Sequence, residues 1–561
     1  MQKRWNVAKP EPLLRVSLAK ALNIPPVLAQ VLINRNVKNK EDAEVFMRSD
    51  MSFLHSPLSL PDIDKAVKRM KQAIEKKEKI FIFGDYDVDG VTSCALLKLT
   101  LEKLGARVKH CIPHRLRDGY GINEEAVSFA GKEKIDLFIS VDCGITNFKE
   151  IELLNASGID SIIIDHHEPQ EKLPNALAVV DPKLKGHNYP FRDLAAVGVV
   201  YKLCQKLCDD LLVDDLDLVL LGTVADVVPL LGENRILVKE GLLCLSQTRK
   251  PGLKALIDIC RIRGRKLDPY AVSFILGPRL NAAGRMSSAE IAFNLLTAVS
   301  HSEAEDLARQ LDVENRRRQE IEKKILDEAL AKVEREVNFK DHSVIVLSCE
   351  GWHQGVLGIV ASRIADRFYR PAIIISTEGS LGKGSARSIR DFHIFNALCR
   401  CGEFLEGYGG HSHAAGLTIL EANIEKFKHL INDIARIELT PQDLIRCLDI
   451  DAEVNLAELS LDLVSGLDNL APFGAGNPEP LFLSSELFVR GRPNVLGKNT
   501  LKFWVYDGRL TFPVVGFGMG DKFGLVSENE KLDLVYSASL DTWQDNRQIQ
   551  LNLKDVRPSR P

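Results

Sequence analysis

Four short acidic clusters have the residue types needed to hydrolyse a phosphodiester on divalent cations. They are Gly84-Asp85-Tyr86-Asp87-Val88-Asp89-Gly90, Val141-Asp142-Cys143-Gly144, Asp165-His166-His167 and Gly222-Thr223-Val224-Ala225-Asp226. Each follows, or sits within, an apolar β-branched run: Lys79 to Phe83, Asp136 to Val141, Ser161 to Ile164, and Leu218 to Val224. Burying an unpaired carboxylate is costly. One reason covers all four positions: the ends of neighbouring strands deliver ligands to shared cations. Carboxylate oxygens joined by an imidazole suit magnesium or manganese better than zinc. Hydrolysis must neutralise the phosphoryl oxygens, activate a water and stabilise the leaving alkoxide. Two cations about 4 Å apart, joined by a bridging carboxylate, supply all three.

Asp85-x-Asp87-x-Asp89-Gly90 also matches the opening of an EF-hand loop, which requires Glu at its twelfth position. Leu96 stands there, and the preceding segment reads as a strand, so the calcium reading fails. Val91 to Leu99 has the composition of a buried helix whose N-terminus would lie beside the site and help to hold a phosphate. Taken singly, Asp142 or Asp226 would be an ordinary turn or capping residue, and a His-His pair an ordinary structural feature. Four clusters in this order are hard to obtain as independent caps.

The elements around these clusters alternate. Strand-like runs at Lys79 to Phe83, Asp136 to Val141 and Ser161 to Ile164 are separated by helix-like Val91 to Leu104 and Phe148 to Ala156. That alternation predicts parallel strands with crossover helices, and ligands at the strands' carboxyl ends. Residues 1–60 read as a helical lead-in broken by Pro10, Pro12, Pro25, Pro26 and Pro57. Residues 286–337 carry no Gly or Pro and predict a charged helix with Leu307, Leu311, Ile321, Ile325 and Leu330 as apolar contacts. Arg316-Arg317-Arg318 within it reads as a solvated face. A second α/β unit follows, with strands at Ser343 to Leu347 and Pro371 to Ser376. The stretch after about residue 445 is β-rich and compatible with a small barrel, in which at least two of Phe503, Trp504 and Tyr506 are expected in the core.

At 561 residues the chain exceeds one core, and roughly three to four domains are expected. Its eleven Cys form no regular framework. Neither Cys204/Cys208 nor Cys399/Cys401 has a second pair at zinc spacing, so reduced thiols and a cytoplasmic setting are expected. No signal-peptide pattern or membrane-length apolar run is visible. The formal net charge of −4 gives no support to nucleic-acid binding, and charge alone would suggest a small-molecule enzyme.

The succession DYDxDG, VDCG, DHH and TVAD resembles the DHH phosphoesterase superfamily and, within it, the RecJ family of single-stranded-DNA-specific exonucleases. Four later segments carry the narrower resemblance: Gly277 to Arg285 (GPRLNAAGR), Gly382 to Ser388 (GKGSARS), Gly409 to Gly416 (GGHSHAAG) and Pro472 to Pro480 (PFGAGNPEP). The resemblance implies an α/β protein with a parallel-sheet DHH catalytic domain over 61–285 and a long connecting helix over 286–337. A second α/β, DHH-associated domain over 338–444 and a C-terminal OB-like β-barrel over 445–561 complete it. It also implies a metal-dependent 5′-to-3′ exonuclease that degrades single-stranded DNA to mononucleotides in recombination and repair, with two Mg2+ or Mn2+ ions.

By the same resemblance Asp142 bridges the ions. Asp87 joins it on one, with Asp85 nearby, and Asp89, His166 and Asp226 complete the other. His167 would touch the substrate phosphate or the leaving oxygen. Many members of the superfamily have a His where Phe83 stands here, so the first ion is either held more loosely or relies on Asp85. Arg115, Ser385 and Arg387 would hold a 5′-terminal phosphate, Arg279, Asn281 and Arg285 would track the backbone, and His411 would approach phosphate near the metals. The implied partners are single-stranded DNA, a single-strand-binding protein and a helicase, with a monomeric enzyme and no membrane. Two other readings are weaker. Smaller DHH phosphodiesterases of oligoribonucleotides, cyclic dinucleotides or pyrophosphate lack the Pro472-to-Pro480 segment and the β-rich end. A non-catalytic scaffold would carry idle buried carboxylates at a cost in stability.

Overall fold

Residues Ile80 to Gly84 and, but for Ser140, Leu137 to Val141 are apolar without polar alternation and are buried on both faces, which suits central strands of a parallel sheet. In the computed structural model, which describes residues 3–115, 117–497, 499–529, 531–541 and 547–559, they form the middle of a five-stranded sheet. Its order is Arg107–Cys111, Lys79–Gly84, Leu137–Val141, Asp160–Ile164, Ala178–Val180, with every pairing parallel. From Lys79–Gly84 the chain runs through the helix Val88–Lys103 to the edge strand, then returns to the opposite side at Leu137–Val141. The strand order therefore reverses between Lys79–Gly84 and Leu137–Val141, and a crevice for ligands opens at such a reversal. The first two acidic clusters follow these two strands.

The Leu218 to Val224 run is not a strand. It lies in the helix Leu216–Ala225, where every residue from Leu216 to Val224 is buried. A short, wholly apolar run has no periodicity to separate strand from helix. Asp226 thus comes to the site from a helix C-terminus. Gly222 lets that helix approach: a Cβ there would stand 2.5 Å from Thr92 Oγ1 and 2.7 Å from Asp89 Oδ1.

This sheet belongs to the unit His55–Val228 with Glu240–Ile445. The same unit holds a second sheet, ordered Leu405–Gly410, Ala414–Leu420, Leu381–Arg387, Ala372–Glu378, Ile345–Glu350, with only the last pair parallel. The expected single helix over 286–337 is two, Glu290–Thr297 and His301–Glu336. Ser300 starts the second by accepting from the Glu303 N–H at 3.2 Å. Arg316 and Arg317 are exposed as expected. Arg318 is not: it is buried, donating to Glu322 Oε2 at 2.6 Å and Asn315 Oδ1 at 3.0 Å.

The other unit gathers three stretches, Met1–Leu54, Pro229–Lys239 and Arg446–Pro561. The N-terminal residues are therefore no separate lead-in. Arg4–Val7 pairs in parallel with Cys447–Ile450, and the buried face of Pro26–Asn34 shares a core with the C-terminal barrel. Pro12, Pro26 and Pro57 open helices rather than break them, since a helix's first turn has no use for the missing N–H. The barrel runs Phe482–Leu496, Thr500–Tyr506, Thr511–Phe517, Gln548–Pro558, Lys531–Asp541 and closes by pairing the last strand with the first. Of the three aromatics only Phe503 is core. Trp504 is 39% exposed, and Tyr506 shares its outward face, as two-residue alternation requires. No single helix among the described residues is long and apolar enough to cross a membrane.

Arg235 binds this unit together. Only 1% exposed, it donates to the carbonyls of Phe46, Asn469, Leu470, Ala471 and Pro472 and to Ser49 Oγ, with its guanidinium 4.1 Å from the Phe46 ring centroid. Burial pulls its pKa down to about 10. Arg235→Met should orphan these carbonyls and cost about 3 kcal/mol or more, read as an earlier unfolding transition in urea. A loss below about 1 kcal/mol would show that the carbonyls find other donors.

Candidate metal centre

Asp85 and Asp142 directly follow the two central strands. Asp85 is buried, and its Oδ1 has no hydrogen-bond partner. Asp142 is 2% exposed and has φ of +61°, in the left-handed region that Asp tolerates better than β-branched residues. Its N–H donates to Ile164 O at 3.0 Å, so the neighbouring strand fixes the turn. Asp87 caps the helix Val88–Lys103, accepting from the Gly90 N–H at 3.1 Å. Asp89, one turn in, accepts from the N–H groups of Ala196 at 2.7 Å and Val197 at 2.9 Å, where another helix begins.

His166 supplies the most informative atom. Its Nδ1 lies 3.1 Å from Leu194 O, a carbonyl that can only accept, so this nitrogen carries the proton. Nε2 is then a bare lone pair, buried and without a hydrogen-bond partner, facing Asp142 Oδ1 at 3.4 Å, Asp226 Oδ2 at 3.7 Å and Asp89 Oδ2 at 3.9 Å. Burial, with the charge of His167 beside it, holds its pKa down to about 3 and keeps the ring neutral. Burial and mutual repulsion push Asp85, Asp142 and Asp226 well above the usual carboxylate range, and Asp89 up to about 7. A lone pair and several carboxylates turned inward with no donor among them are a donor set for cations. Donor atoms gather within 4.8 Å of one another in three groups: Asp85, Asp87 and Asp142; Asp89, His166 and Asp226; and Asp142, His166 and His167.

Asp165, although it opens the Asp165-His166-His167 motif, was not expected as a site residue. It is buried and accepts from the N–H groups of Ile145, His166 and His167 and from His167 Nδ1 at 2.7 Å. Although burial opposes it, this bond and the carboxylate charge raise the His167 pKa to about 9. Tyr120, also unexpected, donates to Asp142 O at 3.3 Å and approaches His167 Nδ1 at 3.2 Å. No local pattern marks Tyr120, since its partners lie 22 and 47 residues away. Phe83, at the position many superfamily members give to His, packs against Phe138 in the core.

The expected phosphate contacts divide into two sets. Arg115, Arg285 and Arg387 lie within range of one another's charge and have no carboxylate ion pair among the described residues. Burial, then Arg115 and Arg387, pull the Arg285 pKa down to about 9, with Asp87 opposing. Arg115 lies 4.9 Å over the Tyr86 ring, and Arg387 donates to Ser385 Oγ at 3.3 Å. Gly358 makes room for that pair, because a Cβ would stand 2.9 Å from Arg387 Nη2 and 3.0 Å from Ser385 Oγ. His411 is stacked 6.3 Å from His167, bringing the turn between two strands of the second sheet to the candidate metal centre. Arg279 is not in this set: Asp312 at 3.0 Å and Ile275 O at 2.7 Å occupy its guanidinium. Asn281 is half-buried two residues farther along the same helix.

The DHH family N-terminal domain matches residues 79–223, the DHHA1 domain residues 341–436 and the RecJ OB domain residues 450–555. The single-stranded-DNA-specific exonuclease RecJ of Bacillus subtilis is 37% identical over 99% of this chain and 71% of its own length. The Escherichia coli protein of that name is 33% identical over 95% of this chain and 96% of its own. The crystal structure of RecJ in complex with Mn2+ from Thermus thermophilus covers all of this chain (100%) and 80% of that one, at a TM-score of 0.86 and 31% identity. The small-molecule enzyme suggested by net charge is overturned, because a whole-chain sum is blind to a local cationic cluster. With its cage of inward-facing carboxylates, its guanidinium groups without carboxylate ion pairs among the described residues and relatives along its whole length, the chain belongs to the RecJ family of single-stranded-DNA-specific exonucleases.

Proposed function

We propose that this protein removes mononucleotides from the 5′ end of single-stranded DNA, using two Mg2+ or Mn2+ ions. The observation that carries the reading is the pairing of two opposite environments: the lone pair and carboxylates around His166 Nε2, and the mutually close Arg115, Arg285 and Arg387, without carboxylate ion pairs among the described residues, of which Arg285 feels the charge of Asp87. Asp85, Asp87 and Asp142 would hold one ion, and Asp89, His166 and Asp226 the other, with Asp142 between them. When bound, the ions offset charge on the phosphoryl oxygens and activate water.

The chain's own groups do the rest. Arg115, Arg387 and Ser385 bind a terminal phosphate, which carries more charge than an internal diester, and so place the 5′ end. Arg285 feels the charge of both Arg115 and Arg387 and of Asp87. Held protonated by Asp165, His167 is positioned to donate to the leaving oxygen, with Tyr120 and His411 restricting its ring. Arg279 and Asn281 follow the strand beyond, with Arg279 freed from Asp312 when phosphate competes for it. The eleven Cys are all unpaired, in keeping with a reducing cytoplasm. There the enzyme acts as a monomer in recombination and repair, on strands supplied by a helicase and a single-strand-binding protein.

Digestion of end-labelled single-stranded and duplex oligonucleotides tests the reading directly. Loss should begin at the 5′ end of single strands, and release from the 3′ end would overturn the polarity. Asp142→Ala should abolish hydrolysis while leaving single-strand binding largely intact, because phosphate contacts rather than the bridge carry affinity. Arg387→Ala should erase preference for 5′-phosphate over 5′-hydroxyl ends, and an unchanged preference in the folded variant would move the pocket elsewhere. Manganese added after chelation should raise the melting temperature of the parent chain. Asp142→Asn should melt higher than the parent in chelator, since it removes repulsion, and gain less from manganese.

A further inference from the structure

From Arg249 to Lys266 the chain carries seven basic residues and one carboxylate, Asp258, in a protein of net charge −4. Two of the seven are neutralised: Lys250 by Asp215 at 3.0 Å and Asp217 at 2.8 Å, and Arg263 by Asp258 at 2.5 Å. Arg249, Lys254, Arg261, Arg265 and Lys266 have no carboxylate ion pair among the described residues. Like charges brought together without counter-charges repel, so such a cluster gains when an anion joins it. Arg249, Lys254, Arg265 and Lys266 line a cavity of about 880 Å³ over a floor of Leu245 and Ile262. The first residue of the helix His301–Glu336 opens onto the same cavity, adding the positive end of that helix.

Among the described residues no Phe, Tyr or Trp lines the cavity, and His301 is its one ring, so it offers little platform for successive stacked bases. Guanidinium and ammonium groups around a recess instead match successive phosphate oxygens. The helix Pro251–Ile259 packs along His301–Glu336, which also carries Asp312, the partner of Arg279. Cys260, at the end of that short helix, lies close enough to Arg279 and Asp312 to feel both charges. The helix Pro251–Ile259 thus links the two: its Lys254 and Ile257 line the cavity, and the residue that follows it feels the charge of Arg279, the residue expected to track the DNA backbone.

We propose that this cavity is a second phosphodiester site, which holds the backbone of single-stranded DNA away from the metal centre. The inference rests on the reading of the substrate as single-stranded DNA. It adds a contact that only strands long enough to reach the cavity can make. An acidic peptide would meet the same charges, but continuity with Arg279 favours the nucleic acid.

The test uses the full chain and its Arg265→Ala/Lys266→Ala variant, both positions being exposed. Binding of oligothymidylates of about 6 to 40 nucleotides is followed by fluorescence anisotropy in chelator across a salt series. For long strands the variant should bind roughly tenfold more weakly at low salt, and its log K against log salt slope should be shallower by about 1.4, about 0.7 per lost contact. For the shortest strands, affinity and hydrolysis should match the parent. Arg265→Lys with Lys266→Arg should keep the parent's slope. An unchanged slope on long strands in the folded double variant would overturn the site. So would loss of polyglutamate binding with long-strand binding intact, which would assign the cavity to acidic peptides. If the parent itself bound neither short nor long strands, the exonuclease reading would fall first, a failure visible without any variant.

Discussion

Repulsion among buried carboxylates is the constraint to which the catalytic unit is fitted. Asp85, Asp89, Asp142 and Asp226 would separate if their backbones were free to move, and the last three are held by three unlike means. Asp89 is gripped by two N–H groups at the start of a helix. Asp142 is held in a left-handed turn whose N–H is tied to the next strand. Asp226 rides on a helix that Gly222 lets close against Asp89. Much of the sheet order and helix packing can be understood as the means of keeping like charges together.

Beside this anionic cage lies its electrostatic opposite. Arg115, Arg285 and Arg387, all partly buried, lie within range of one another's charge, although each would gain by pairing with a carboxylate. Cations in the cage and a phosphate across both regions would satisfy the two imbalances together. His167 stands at the junction, tied to Asp165 on one side and stacked toward His411 on the other. A small displacement of the second sheet would therefore move His167 while leaving His166, held by Leu194 O, in place.

The sequence made the central strands and the crossover helices Val88–Lys103 and Phe148–Ala156 legible, because apolar runs bounded by turn residues have one strong interpretation. It also brought the acidic clusters together, since only proximity explains so many carboxylates after apolar runs. It misled at Leu218 to Val224, where complete burial removes the periodicity that would have marked a helix. The division of 286–337 turned on one Ser cap. At least two of Phe503, Trp504 and Tyr506 were expected in the core, but alternation along Thr500–Tyr506 leaves only Phe503 there. Tyr120 was missed because its partners lie far away in the chain, and Asp165 because its role, accepting from the adjacent His166 and His167, is positional. The Pro472-to-Pro480 segment was noticed only as a resemblance, yet it has a physical use. Asn477 donates to the carbonyls of Leu470 and Pro472, and Arg235 serves the same turn from the other side.

The unit held by Arg235 is assembled from three separated stretches, Met1–Leu54, Pro229–Lys239 and Arg446–Pro561. Its first helices leave the ribosome long before the strands that will cover them. At about 5–20 residues per second the wait lasts on the order of tens of seconds. During that time the apolar faces of Pro26–Asn34 and its neighbours have no native partner, whereas the unit carrying the acidic cage can complete itself from the chain already made. Synthesis thus orders the two units in time: the cutting machinery matures first, and the barrel that embraces the N-terminus closes last. A nascent chain stalled before residue 446 would carry a finished metal site and an unfinished N-terminus, a natural target for chaperones.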